Sequence, residues 1–113
     1  MAVIPTGKPT LDQIFAAFQA FRTYMARRNC ENNRLRAALE CFTTAQDALL
    51  QLQMEIIRAN FANRPLDPEY IRGRRAQIAE REKVCNTRVE QRYQACMQMV
   101  KSSSSVRKRR SKR

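Results

Sequence analysis

Histidine and tryptophan are missing from this chain of 113 residues, and glycine is down to two, Gly7 and Gly73. Without histidine the chain lacks the commonest general base and metal ligand. Two isolated glycines cannot build a phosphate-cradling loop. Prolines stand only at Pro5, Pro9, Pro65 and Pro68, so neither helix breaker occurs between Thr10 and Arg64. Acid is scarce as well, with 10 Asp and Glu against 22 Lys and Arg. The carboxylates sit among basic neighbours, as in Glu80-Arg81-Glu82-Lys83, a pattern of helix-surface pairing. No run approaches the ~20 apolar residues of a membrane span, so a soluble or peripheral protein is expected. Met1–Thr10 has neither the charged nor the apolar region of a secretory signal. Together these absences argue against an enzyme, and no cofactor, metal or small-molecule substrate is expected.

What is present reads as helix. Hydrophobic residues make up 43% of the chain, enough for a modest core. Thr10-Leu11-Asp12-Gln13 has the form of a capping box, which places a helix start at Leu11. Leu11, Ile14, Phe15, Phe18, Phe21 and Met25 then recur at threes and fours as one apolar face. Arg27-Arg28-Asn29 and Asn32-Asn33 interrupt it, which predicts a bend or register change near 28–33. The pattern resumes with Leu35, Phe42, Leu49 and Ile56 at sevens, and Ala38, Ala45, Leu52 and Ala59 between them. That is a heptad seam, and it carries the helix to about Ala62. A turn follows at Asn63-Arg64-Pro65-Leu66, after which Asp67 suits an N-cap and Pro68 the first helical position. The second helix aligns Ile71, Ile78, Cys85, Val89, Tyr93, Cys96 and Val100 on one side, and is expected to end in Ser102–Ser105.

The organisation so predicted is an extension (1–10), an amphipathic helix (11–29), a helical hairpin (30–100) and a basic tail (101–113). A second helix over 67–100 is ~51 Å long at 1.5 Å per residue, and pairs with the first only back to about residue 30. The aromatic run Phe15, Phe18, Phe21 and Tyr24 is too broad a patch to leave in water. It reads equally as a docking face for a partner subunit or as part of a third core helix. Arg22, Arg27 and Arg28 against the single Asp12 give residues 11–28 a faint likeness to a mitochondrial targeting helix. An ordinary amphipathic helix is the simpler reading.

The cysteines are Cys30, Cys41, Cys85 and Cys96, two C-x10-C pairs. Eleven residues are three helical turns, so each pair lies on nearly one face but ~16 Å apart along the axis. That is too far for a bond within one helix, and too far for one zinc ion to hold both thiols. In an antiparallel hairpin, facing positions have a constant sum. Cys41 and Cys85 add to 126, and so do Cys30 and Cys96. One fold centred at residue 63 therefore brings both pairs together. Two staples are favoured, each stabilising by roughly 2–4 kcal/mol, and they imply an oxidising compartment. The alternative is four free thiols acting as small core hydrophobes.

Two helices with cysteine pairs about three turns apart, Cys30-ENNRLRAALE-Cys41 and Cys85-NTRVEQRYQA-Cys96-Met97, resemble the coiled-coil-helix-coiled-coil-helix (CHCH) family. Its members carry twin C-x9-C motifs, some with C-x10-C, and are oxidised in the mitochondrial intermembrane space. Here both spacings are ten, and 43 residues separate the motifs where the family has far fewer. The resemblance implies a non-catalytic subunit of a respiratory complex, an assembly factor or a mitochondrial ribosomal protein.

The charge distribution bears on that choice. Of the net +12, the last thirteen residues supply seven cations and no acid: Lys101, Arg107, Lys108, Arg109, Arg110, Lys112 and Arg113. Behind the Ser102–Ser105 spacer they form a cluster suited to phosphate; a tail kept for solubility is the plainer alternative. Arg72, Arg74, Arg75, Arg81, Arg88 and Arg92 either extend that surface or, for most of them, form a solvated face.

The expectation is thus an all-α hairpin stapled by two disulfides, with an extra N-terminal helix and a basic tail. It would serve as a structural subunit of a mitochondrial ribonucleoprotein, contacting protein subunits and, through the tail, ribosomal RNA. A respiratory-complex subunit whose tail meets acidic lipid is the second reading. A nuclear or viral adaptor, with Val106–Arg113 as an import signal and reduced cysteines, is the third.

Overall fold

The computed structural model describes residues 7–111, and the surroundings of side chains as far as Ser103. Two helices account for nearly all of it: α1 (Leu11–Phe61) and α2 (Pro68–Ser111). They lie antiparallel as a hairpin measuring 82 × 30 × 19 Å. Among the described residues there is no strand.

Both ends of α1 and the start of α2 are closed by chemistry the sequence carries. The Thr10 hydroxyl accepts from the Gln13 amide N–H at 3.2 Å, and the Gln13 side chain accepts from the Thr10 N–H at 3.0 Å. This reciprocal pair satisfies two of the first-turn donors that no helix can satisfy internally. At the other end Asn63 takes a left-handed conformation (φ 55°). Its N–H bonds the Asn60 carbonyl, and the Arg64 N–H bonds the Ala59 carbonyl at 2.9 Å. That is a Schellman closure with Asn in the place glycine most often takes. Pro65 then prevents any continuation. Asp67 caps α2 by accepting from the Glu69 N–H at 3.0 Å.

Two expectations need correction. Residues 11–29 are not a separate helix; they are the start of one 51-residue helix. Arg is a good helix former and Asn costs only a fraction of a kcal/mol, so the polar residues at 27–33 break the apolar stripe and not the backbone. Nor does α2 dissolve at Ser102. It runs to Ser111, through a segment with neither Gly nor Pro, whose cations suit the negative end of the helix dipole. Met1–Thr6 and Lys112–Arg113 lie outside the described residues.

The core is thin: Cys30, Cys41, Ala45 and Leu52 from α1, Ile78 and Val89 from α2. Ala45, Leu52 and Ile78 form its centre, with Ala48, Ile56 and Ile71 packed around them. The α2 stripe read from sequence faces α1 as expected, every member buried or half-buried. The α1 seam is half right. Ala38, Ala45, Leu52 and Ala59 face α2, but the row that alternates with them is Cys41, Ala48 and Glu55. Of the row Leu35, Phe42, Leu49 and Ile56, only Ile56 packs on the core, while Leu35 and Phe42 stay 69% and 53% exposed. One residue is about 100° of helix, so once Cys41 points at α2, Phe42 is turned away.

Leu52 is 1% exposed, so Leu52→Ala should cost about 2–5 kcal/mol in chemical denaturation of the oxidised chain. Leu50→Ala, on the outer side of the same helix, should stay within about 0.5 kcal/mol.

Candidate functional site

Four contacts tie the helices together along their length. Nearest the loop, the Tyr70 hydroxyl donates to Glu55 at 3.1 Å. Next comes the Cys41–Cys85 disulfide, then a cluster around Arg34, then the Cys30–Cys96 disulfide; both bridges have Cα atoms 5.8 Å apart. Arg34 pairs with Glu90 at 2.8 Å and stacks over the Tyr93 ring at 4.4 Å. Glu90 also accepts from the Gln94 amide at 3.1 Å. No free cysteine remains, so the stapled reading holds over that of four buried thiols.

Arg34, Glu55 and Tyr70 were not singled out by sequence reasoning. The signal was there: Glu55 with Tyr70, and Arg34 with Tyr93, have position sums within one of the cysteines' 126. Testing every charged or aromatic residue against the cysteine register would have found them.

The aromatic candidates Phe15, Phe18, Phe21 and Tyr24 are 56–63% exposed. They do not make a third core helix. They belong to α1's outer side, which is apolar on both sides of a polar interruption at Arg28 and Asn32. Among the described residues, fifteen of the eighteen large apolar side chains left exposed are on α1.

Charge goes the other way. The α2 sequence has twelve Lys and Arg against four acids, whereas α1 has six against five. A groove beside the seam has Arg74, Arg81, Arg88 and Arg92 along its α2 side, with Glu80 and Glu82 among them and Glu40 across from α1; the first three arginines repeat every seven residues. Arg74 is half-buried, and its guanidinium Nε is buried without a hydrogen-bond partner. Of the tail cations, Lys101 is exposed on α2. Arg107, Lys108, Arg109 and Arg110 fall on the helix, with side chains beyond the described surroundings; Lys112 and Arg113 lie outside the described residues.

Among the described residues, no group of three or more Cys, Asp or Glu side chains is placed to hold a metal. Among the described residues, no helix is long and apolar enough to cross a membrane. The fold and contacts define an all-α, doubly stapled helical hairpin with an apolar rail on α1 and a cationic rail on α2. No family model matches the chain, and neither a curated protein nor a solved structure matches it.

Covalent and ionic ties should differ sharply in worth. Non-reducing peptide mapping should recover Cys30–Cys96 and Cys41–Cys85. Replacing Cys30 and Cys96 together by Ser should lower unfolding stability by about 2–4 kcal/mol. A double-mutant cycle on Arg34 and Glu90, both nearly half exposed, should give a coupling of at most about 1 kcal/mol.

Proposed function

We propose that this chain is a non-catalytic structural subunit of a mitochondrial ribonucleoprotein, of the ribosomal type. The stapled hairpin is a brace, the α1 rail docks on protein, and the cationic side and end of α2 anchor RNA. The observation that carries this reading is the segregation of apolar surface and charge onto separate helices of one rod. A row of arginines every seven residues is spaced ~10.5 Å along a helix, which suits a line of phosphates better than a single small anion. Two cross-helix disulfides support an oxidising compartment. The resemblance to the CHCH family supports the intermembrane-space route of oxidation.

The test compares the full chain with one lacking 101–113, binding structured ribosomal RNA across a salt series. RNA affinity should fall steeply with salt. Removing the seven tail cations should flatten the log–log slope by several units, up to roughly 5–6 if all of them meet phosphate. Equal slopes for the two chains would overturn the RNA anchor. Binding to cardiolipin vesicles but not to RNA would replace it with the respiratory-complex reading.

A further inference from the structure

We propose that the outer side of α1 is the seam of an antiparallel homodimer, in which Phe18 of each copy packs on Phe42 of the other. This deepens the docking role proposed above for that rail, by naming its occupant, and is independent of the RNA anchor.

The outer row of α1 alternates by threes and fours without a break from Leu11 to Leu49, and only Arg28, Asn32 and Gln46 in it are polar. It lies roughly 150° around the helix from Cys41, so α2 leaves it free. Its large side chains are exposed throughout. Spacing of this kind is what two-stranded coiled coils use, and here it continues for more than five heptads.

Register identifies the occupant. In an antiparallel pair the two rows of one helix face the opposite rows of its partner. Alignment with position numbers adding to 60 sets Phe18 on Phe42, Phe21 on Leu39 and Met25 on Leu35. Arg28 then meets Asn32 from both sides of the two-fold axis, so the polar interruption pairs with itself. Leu11 meets Leu49, and Ile14 on Gln46 is the single mismatch. A slip of one heptad in one direction buries Arg28 against Leu39 and Asn32 against Leu35. A slip in the other direction sets Arg28 on Met25 and Asn32 on Phe21. Either slip leaves a buried charge without a partner, which is strongly unfavourable. A parallel pair in register would stack Arg28 on its own copy. It would also set two cationic α2 ends side by side, whereas the antiparallel pair holds them at opposite ends.

Surface area agrees. A compact monomer of this mass exposes roughly 6,400 Å², yet this chain exposes 10221 Å². A stable interface needs about 800 Å² from each partner. Full burial of an aromatic side chain covers roughly 150–250 Å², and Phe18, Phe21 and Phe42 still have 63%, 60% and 53% of their surface to cover.

Sedimentation equilibrium of the full, oxidised chain at micromolar concentration should give a dimer. Phe18→p-benzoylphenylalanine, irradiated, should crosslink the copies, with the bond mapping to the peptide around Phe42. Phe42→Glu should raise the dimer Kd by at least about 100-fold while leaving helicity and the disulfide map unchanged, because Phe42 is exposed in the single chain. A monomer under these conditions overturns the proposal, as does a crosslink from Phe18 to its own counterpart. A monomer would leave the rail open to a different protein, and failure of the RNA assay would leave the dimer untouched, so the readings fail separately.

Discussion

Two sulfur–sulfur bonds, three turns apart on each helix, decide how everything else in this molecule is arranged. Among the described residues the buried core has six side chains, and two of them are the cysteines Cys30 and Cys41. Burying an aliphatic side chain is worth about 1.5–3 kcal/mol, while ordering each residue costs about 1–2 kcal/mol of backbone entropy alone. A two-helix rod with so thin a seam has little margin. The bridges close loops with sequence separations of 66 and 44. They act largely on the unfolded chain, by removing conformations it would otherwise explore.

The bonds also choose a face. Helix α1 carries two apolar stripes, and periodicity alone cannot say which one meets α2. The outer stripe has the bulkier residues, Phe18, Phe21, Leu35, Leu39 and Phe42, and in a chain without cysteines it would be the stronger candidate for the seam. Cys41 settles the matter. A half-cystine must face its partner to within about 7 Å between Cα atoms, and the neighbouring Phe42 is then rotated outward. The stripe that packs is therefore the one with Ala38, Ala45 and Ala48, and the larger apolar surface is left outside.

This explains what was legible in the sequence. Both helices, their caps at Thr10 and Asp67, the turn, the α2 stripe and the disulfide pairing follow from local chemistry and from one arithmetic constraint across the hairpin. The α1 seam was read half correctly because the heptad row Leu35–Phe42–Leu49 is real but serves another face. The separate N-terminal helix was inferred from a broken hydrophobic pattern, which reports on burial and not on backbone continuity. The extension of α2 to Ser111 was missed because serines and clustered cations read as linker. Nothing in them forbids helix. The Arg34, Glu90 and Tyr93 cluster depends on pairing across the hairpin, which composition and periodicity along one helix do not register.

A rod built this way has a surface it cannot hide from itself. Each helix of a two-helix hairpin can bury one stripe, and α1 has two. Folding the chain further is blocked by its own design: the loop is closed by the Asn63 turn and Pro65, the staples hold the helices straight against each other, and α2 is the only other element among the described residues. The second stripe must therefore be covered from outside the chain or left in water at a cost to solubility. A net charge of +12 offsets that cost by keeping copies apart through long-range repulsion, yet most of the charge sits on α2, on the far side of α1 from the exposed stripe. Repulsion screened over about 8–10 Å at moderate ionic strength reaches weakly around a helix of that diameter. The geometry thus shields α2 from close approach and leaves α1 approachable, and it is the separation of charge from apolar surface, more than either alone, that makes this hairpin a two-sided connector.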